Sequence, residues 1–178
     1  MKMKKLIAIL TVLSILCAAF AVFAEETTEF TFRNNVKFGM SAQEVIDSEG
    51  NAFFERDIEH TRGPVNYDEL QYENIVIPEE NVMADLHYLF AGDKLVAIRL
   101  EYETRNISYE ALKAGLSKDF GEAGPLDQAL IGDKIFALDD EGRPERNTVA
   151  WVTGSVMVVL ELDDDGEDMT VTFIDLNA

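Results

Sequence analysis

The residues whose types could support catalysis are few and scattered in this 178-residue chain. The two histidines, His60 and His87, form no His-x-x-x-His or His-Glu-x-x-His pair, which disfavours a zinc hydrolase. No serine lies in a Gly-x-Ser-x-Gly or Ser-x-x-Lys context, and no glycine loop is built to hold a phosphate. An enzyme of unfamiliar type would need a deep pocket with strongly shifted carboxylate pKa values. We therefore predict a protein that is not an enzyme and uses no cofactor.

One acidic turn has the composition of a calcium-binding loop. It runs Asp163-Asp164-Asp165-Gly166-Glu167-Asp168. Aligned with an EF-hand loop from Glu161, it places Gly166 at the sixth position but Thr172 at the twelfth, where a bidentate Glu is required. A hairpin turn explains the composition better, and a weak calcium contact outside the cell is the alternative. We predict no metal site.

The first 24 residues have the pattern of a secretory signal peptide. A basic start precedes an apolar run from Leu6 to Phe23, and Ala24 offers a cleavage site before an acidic flank. An uncleaved membrane anchor is the alternative, because the run is near the length that spans a bilayer. A lipoprotein anchored at Cys17 fits the sequence less well. We predict a signal peptide over residues 1–24 and one extracytoplasmic domain over 25–178, secreted or in the cell envelope, without membrane insertion after cleavage.

Charge is the strongest compositional signal. The chain has 15 Lys and Arg against 34 Asp and Glu, a formal net charge of −19. Cleavage after Ala24 removes three lysines and no acid, which leaves 12 basic against 34 acidic residues and a net charge of −22. Such a surface repels nucleic acid and anionic lipid, so we expect neither as a partner. Solubility outside the cell explains the charge, and attraction of a cationic partner is the alternative.

The stretch from Phe38 to Gly50 predicts a strand end, a turn and a short helix. Ser41 and Glu44 are spaced for a capping box, in which each side chain accepts a hydrogen bond from the other residue's backbone N–H. Gly50 ends the helix because glycine tolerates the left-handed backbone found there. The predicted helix, Ser41 to Glu49, has barely two turns, so tertiary packing must stabilise it.

The clearest hairpin joins residues 83–90 to residues 94–103 through Ala91-Gly92-Asp93. Large apolar residues alternate along both strands and predict a buried face: Leu86, Tyr88, Phe90, Val96, Ile98, Leu100 and Tyr102. Polar residues occupy the intervening positions: Asp85, His87, Arg99 and Glu101. This alternation predicts a sheet with one covered face and one face in water.

The remaining elements repeat the order of the first half. Asn106 to Phe120 has a 3.6-residue apolar period and predicts a second helix, with Ser108 as its cap. Three strands follow, over residues 148–153, 155–163 and 169–176. The prediction is an α+β fold: an antiparallel sheet of about six strands with two helices on one face, arranged as two α-β-β-β units in tandem, about 36–105 and 106–176.

Three segments are less regular. Phe30-Thr31-Phe32 alternates as a short first strand would. Phe53, Phe54 and Ile58 are spaced for a short helical turn. Residues 126–138 fit either a short helix or a loop followed by an edge strand.

Two stretches resemble known extracytoplasmic domains. They are Phe38-Gly39-Met40-Ser41-Ala42-Gln43-Glu44-Val45 and Leu86-His87-Tyr88-Leu89-Phe90-Ala91-Gly92-Asp93-Lys94-Leu95. They resemble the β-lactamase-inhibitor-protein-like family, and the first is similar to the helix start of small outer-membrane assembly lipoproteins of the BamE (SmpA/OmlA) kind. The resemblance implies a non-enzymatic binding scaffold. The exported chain lacks the inhibitors' cysteines and the lipoproteins' lipidated cysteine, so their specific activities are not transferred.

These observations together predict an exported binding or inhibitory protein that holds a protein partner on the helix-free face of the sheet. The residues expected to contact the partner are apolar and charged side chains placed on that face: His87, Leu89, Arg99, Met157 and Thr172. An envelope-assembly or structural accessory protein is the alternative.

Overall fold

A seven-stranded antiparallel sheet forms the centre of the fold in the computed structural model of the chain. The structure describes residues 30–50, 55–62, 65–77, 82–132, 134, 138 and 147–178, with backbone alone for 55–62 and 65. The strands are β1 (Glu55–Arg62), β2 (Val65–Ile77), β3 (Val82–Ala91), β4 (Lys94–Glu103), β5 (Val149–Thr153), β6 (Val156–Leu162) and β7 (Asp168–Asp175). The helices are α1 (Ala42–Glu49), α2 (Tyr109–Phe120) and the single turn α3 (Gln128–Ile131). The predicted α+β class is confirmed.

The two halves of the chain share one continuous sheet. Its strand order is β1-β2-β3-β4-β7-β6-β5, so the last strand of each half lies at the centre and pairs with the other in antiparallel register. The halves are not identical, because the first contributes β1 in addition to three strands. Strand β1 replaces the helical turn predicted around Ile58, since antiparallel pairing with β2 supplies the backbone hydrogen bonds of this segment. Phe53 and Phe54 lie outside the described residues.

Helix α1 begins and ends as its sequence predicts. The Ser41 backbone N–H donates to Glu44 Oε2 at 2.8 Å, and the Glu44 N–H donates to Ser41 Oγ at 3.4 Å, which completes the capping box. The helix ends at Gly50, whose φ is 81°. Its buried side chains, Ala42 and Val45, pack on the first face of the sheet.

The first face of the sheet carries the larger core. Helix α2 packs Leu112 and Leu116 against it, and the indole Nε1 of Trp151 donates to the carbonyl of Gly121 at the end of that helix. Phe30 also packs on this core, stacked at 5.4 Å between ring centroids on Phe173. The short strand predicted at residues 30–32 is wrong, because the chain turns there and forms a one-turn 3₁₀ helix at 33–35 instead.

A buried carboxylate ties the end of α1 to this core. The Glu49 side chain is almost fully buried and accepts hydrogen bonds from the Tyr88 hydroxyl and, at 2.8 Å, from Asn34 Nδ2. Arg33 Nε lies 3.3 Å from Glu49 Oε1 and balances its charge. Burial, followed by the charge of Glu49, raises the pKa of Tyr72 to about 12. This cluster holds α1 on the sheet through polar contacts as well as through Val45.

Much of the second face of the sheet is covered as well, which corrects the expectation that this whole face lies in water. Leu126, Ile131 and Leu138, from the segment that contains α3, pack on apolar residues of the sheet: Tyr67, Leu89, Val96, Ala97, Ala150, Met157, Val159 and Ile174. The sequence of residues 126–138 fitted either a short helix or a loop followed by an edge strand. Within the described residues 126–132, 134 and 138, the chain forms the short helix. Within the described ranges, no helix is long and apolar enough to cross a membrane.

Candidate functional site

The five residues predicted to contact a partner share one face of the sheet but are not exposed. His87, Arg99 and Thr172 lie in one row across β3, β4 and β7, and Leu89 and Met157 belong to the apolar row beside it. His87 and Arg99 are each 6% exposed, and the other three are fully buried. The exposure expected for these residues is wrong, because the segment with α3 and neighbouring charged side chains cover this part of the face. They cannot contact a partner at the surface in this conformation.

His87 and Arg99 instead form a buried charged cluster with two carboxylates, Glu69 of β2 and Glu101 of β4. His87 Nδ1 contacts Glu69 Oε1 directly, and Arg99 Nη2 lies 3.6 Å from the same oxygen. Glu101 Oε1 lies 3.5 Å from His87 Nε2 and 3.2 Å from Arg99 Nε. Because each cation faces both carboxylates, the four charges balance when His87 is protonated.

The carboxylates keep His87 protonated at neutral pH. Burial by itself would lower the pKa of His87, but the contacts with Glu101 and Glu69 outweigh burial and raise the pKa to about 9. The nearby Arg99 acts in the opposite direction and only partly offsets them. The histidine is therefore a fixed cation inside the sheet face near pH 7.

The hydrogen bonding of this cluster is incomplete. Among the described residues, five buried side-chain atoms have no aligned hydrogen-bond partner, and three of them belong to this row of the sheet: His87 Nε2, Arg99 Nε and Thr172 Oγ1. Arg99 Nε is within hydrogen-bond distance of Glu101 Oε1, so the angle and not the distance prevents a good bond. Glu101 Oε1 lies close to both cations, so charge attraction contributes to holding this carboxylate in the cluster.

One end of the same face is uncovered. Val76 and Met83 are directly paired across β2 and β3 and are 55% and 51% exposed. Both lie on the second face, because their neighbours Ile75 and Ala84 pack into the core on the first face. Two large apolar side chains are thus adjacent and in water at this end of the sheet.

A small cleft of about 130 Å³ adjoins this apolar pair. Its lining combines apolar, amide and charged side chains: Asn74, Met83, Ala84, Asp85, Glu101, Glu103, Arg105 and Asn106. The Arg105 guanidinium pairs with Glu103, and Asp85 Oδ1 accepts a hydrogen bond from the Asn74 backbone N–H at 2.7 Å. Glu101 belongs both to this cleft and to the buried cluster, and its side chain is 41% exposed. We call the cleft together with Val76 and Met83 the open end of the sheet.

The charge around the open end is negative. Asp168 lies opposite Glu103 in the β4–β7 ladder. Its pKa is raised by burial and then by the surrounding acids, with Glu103 and Asp165 contributing most among them. A carboxyl whose pKa is raised by its neighbours reports a local excess of negative charge. This excess would favour a cationic group arriving at the open end.

The neighbouring acidic turn uses its carboxylates for its own backbone. Asp163 Oδ1 accepts from the N–H groups of Gly166 and Asp168, and Asp165 Oδ1 accepts from the Glu167 N–H. These bonds are those of a tight hairpin connection between β6 and β7. In the part of the chain that the structure describes, no group of three or more His, Cys, Asp or Glu side chains could hold a metal ion.

The alternating pattern placed His87, Arg99 and Glu101 on one face of the sheet, but it identified neither Glu69 as their partner nor the open end. Glu69 precedes the buried Leu70 in an irregular strand, and Val76 follows a shift of register after Tyr72, so alternation alone does not place either residue. No protein-family model, curated protein or solved structure matches this chain. The resemblance to inhibitor-like and BamE-like domains therefore stays a hypothesis.

Proposed function

We propose that this chain is an exported, non-enzymatic binding protein that holds a protein partner on the open end of its sheet. The observation that carries the proposal is the exposed pair of Val76 and Met83 beside a cleft lined by carboxylates. Apolar side chains that are adjacent and exposed, with polar groups around them, are typical of protein interaction sites. The partner surface that fits has an apolar side chain next to basic residues.

Charge complementarity defines the partner further. Among the described residues, the cleft is lined by three acids, Asp85, Glu101 and Glu103, and by one cation, Arg105, which is already paired with Glu103. A basic partner would be attracted over a distance that shrinks as salt increases, so its association rate should fall at high ionic strength. Asp168 is an exposed residue at the start of β7, opposite Glu103, and adds to the acidic character of this end of the sheet.

Affinity capture with surface variants tests this function. The purified protein would be used as bait against envelope and culture-medium fractions of its source, at low and high salt. We expect the double variant Val76→Asp/Met83→Asp to lose a protein that the unchanged bait retains. The matched control is Leu130→Asp/Val152→Asp, because these two apolar residues are equally exposed but lie away from the open end. Both double variants must be folded for the comparison to count. The proposal is wrong if they retain the same proteins or if they lose the same proteins.

The envelope-assembly alternative gives a different result in the same experiment. It predicts that the captured protein stays with the bait in a stable complex of the envelope fraction and that culture medium yields none. An inhibitory or scavenging role predicts a soluble partner from the medium. Salt sensitivity in either fraction would show that the acidic surface contributes to binding.

A further inference from the structure

We infer that two copies of this chain pair through strand β1, edge to edge and antiparallel, so that the sheet of one copy continues into the sheet of the other. The partner of this edge is thus a second copy, in a dimer with two-fold symmetry. The surface differs from the open end, so the inference is independent of the proposed function.

The two edges of the sheet are not equally available. Strand β5 forms one edge and is partly closed, because Gly124 and Ala150 exchange backbone hydrogen bonds of 2.8 and 2.9 Å. Strand β1 forms the other edge, and among the described residues it pairs with β2 alone. An edge strand of eight residues presents backbone N–H and C=O groups to which another strand can be added.

The register with β2 identifies the outward backbone groups of β1. Two residues separate the strands, and the pair Arg62↔Val65 beside this short connection is of the hydrogen-bonded kind. Four residues of β1 pair with every second residue of β2 from this point: Arg62, His60, Asp57 and Glu55. Their backbone groups therefore face β2. Arg56 and Thr61 lie between them, so their N–H and C=O groups are directed to the free edge.

The residue types along β1 are complementary to the same strand in the opposite direction. The register that joins the outward groups creates three kinds of pair, each present twice in the dimer: Arg56 with Thr61, Glu55 with Arg62, and Asp57 with His60. The register shift between Asp57 and His60 places both members of every pair on the same face of the sheet, as direct cross-strand neighbours must be.

Neighbouring registers are unfavourable. A displacement by one residue sets Arg56 opposite Arg62 in one direction, and Asp57 opposite Glu59 in the other. Opposite charges directly across a strand pair stabilise it, whereas like charges destabilise it. The charges of β1 therefore favour the register that its outward backbone groups require.

The composition of β1 also distinguishes it from an edge that is only protected by charge. Charged residues and bulges commonly keep an edge from pairing, and a single sign of charge does so best, because two copies then repel each other. The chain as a whole has 34 acidic against 15 basic residues, yet β1 has two arginines and a histidine against three acids. The basic residues allow this edge to attract its own copy.

Sedimentation equilibrium of the purified protein tests for the dimer. The protein would be measured from micromolar to millimolar concentration in about 0.15 M salt, which screens the repulsion between two negatively charged copies beyond about 8 Å. We expect a reversible equilibrium between monomer and dimer. A monomer throughout this range, or growth beyond the dimer into open assemblies, would overturn the inference.

Charge reversal decides whether β1 forms the interface. Glu55→Arg and Arg62→Glu each set like charges opposite one another twice, so each should raise the Kd of the dimer by roughly tenfold. The double variant Glu55→Arg/Arg62→Glu exchanges the two charges and should restore the Kd. Glu110→Arg and Arg105→Glu are the matched controls, because they change the net charge equally at exposed positions outside β1.

Hydrogen exchange of the unchanged protein gives a second measurement that needs no variant. The amide protons of Arg56 and Thr61 should be protected at a concentration where the dimer forms and should exchange quickly after dilution. A dimer that leaves these two amides unprotected, or that resists both single charge reversals, is formed by another surface, and the inference is then wrong.

Discussion

Arg99 Nη1 donates a hydrogen bond of 2.8 Å to the backbone carbonyl of Leu138, and this bond joins the centre of the sheet to the segment that covers its second face. The same guanidinium balances Glu69 and Glu101. One buried side chain thus connects the cover, the charged cluster and the carboxylate at the edge of the cleft. The cover of the second face therefore depends on Arg99, a charged residue that the alternating pattern had predicted to be exposed.

Replacing this arginine should therefore be costly. Arg99→Met removes the bond to Leu138 and takes one of the buried cations away from Glu69 and Glu101, so we expect a loss of about 3 kcal/mol in the free energy of unfolding. Urea denaturation at neutral pH measures it. Arg105→Met is the matched control, because that side chain is exposed and its ion pair with Glu103 should contribute less than about 1 kcal/mol. Equal losses would contradict the role assigned to Arg99.

The protonation of His87 should make stability depend on pH. Its folded-state pKa of about 9 lies above the unfolded value of 6.5, so its contribution is fully present below about pH 6.5 and is lost as the pH rises through 9. The stability difference between the unchanged protein and His87→Gln should shrink by roughly 3 kcal/mol across that window. Urea denaturation of both proteins at about pH 6 and about pH 9.5 measures it. A constant difference would show that the histidine is not a buried cation.

The buried end of α1 allows a comparison of two tyrosines. Tyr88→Phe removes the hydroxyl that donates to the Glu49 carboxylate, and a hydrogen bond to a buried charge of this kind contributes about 2 kcal/mol. Tyr109→Phe removes a longer bond, 3.3 Å to the carbonyl of Asn147, from an exposed site and should cost less than about 0.5 kcal/mol. Thermal or urea unfolding distinguishes the two, and a larger loss for Tyr109→Phe would be inconsistent with the cluster around Glu49.

The capping box at the start of α1 should also be measurable. Ser41→Ala leaves the Glu44 N–H without its acceptor and should reduce the free energy of unfolding by about 1 kcal/mol. Ser117→Ala replaces a serine inside α2 with the best helix former and should be neutral or stabilise by a few tenths of a kcal/mol. Denaturation curves of the two variants test the assignment, and a neutral effect of Ser41→Ala would argue against the cap.

Local signals in the sequence were enough to predict most of the elements. Both long helices have their caps, Ser41 and Ser108, where the sequence places them. The hairpin of β3 and β4 closes through Gly92 and Asp93, both with the positive φ that its two-residue turn requires. These features depend on residues within about four positions of one another, so a single sequence contains all the information they need.

Whether the second face of the sheet is exposed or covered depends on contacts between residues that are distant in the chain. Alternation along β3 and β4 showed that His87 and Arg99 share a face, but it did not show that a segment containing Ile131 and Leu138 would lie over that face. Strand β1 was missed for a related reason, since its backbone is organised by pairing with β2 and not by its own side-chain pattern.

The sequence by itself determined the α+β class, the helix caps, the order of the two longer helices and of strands β2 to β7, and the acidic charge, because each is set by composition or by neighbours along the chain. Only the tertiary structure decided that the sheet is continuous through β4 and β7, that His87 and Arg99 are buried with Glu69 and Glu101, and that Val76 and Met83 stay exposed. Burial depends on what packs over a residue, and Ile131 and Leu138, from the segment over the second face, are some 30 to 50 positions away from His87 and Arg99 in the chain.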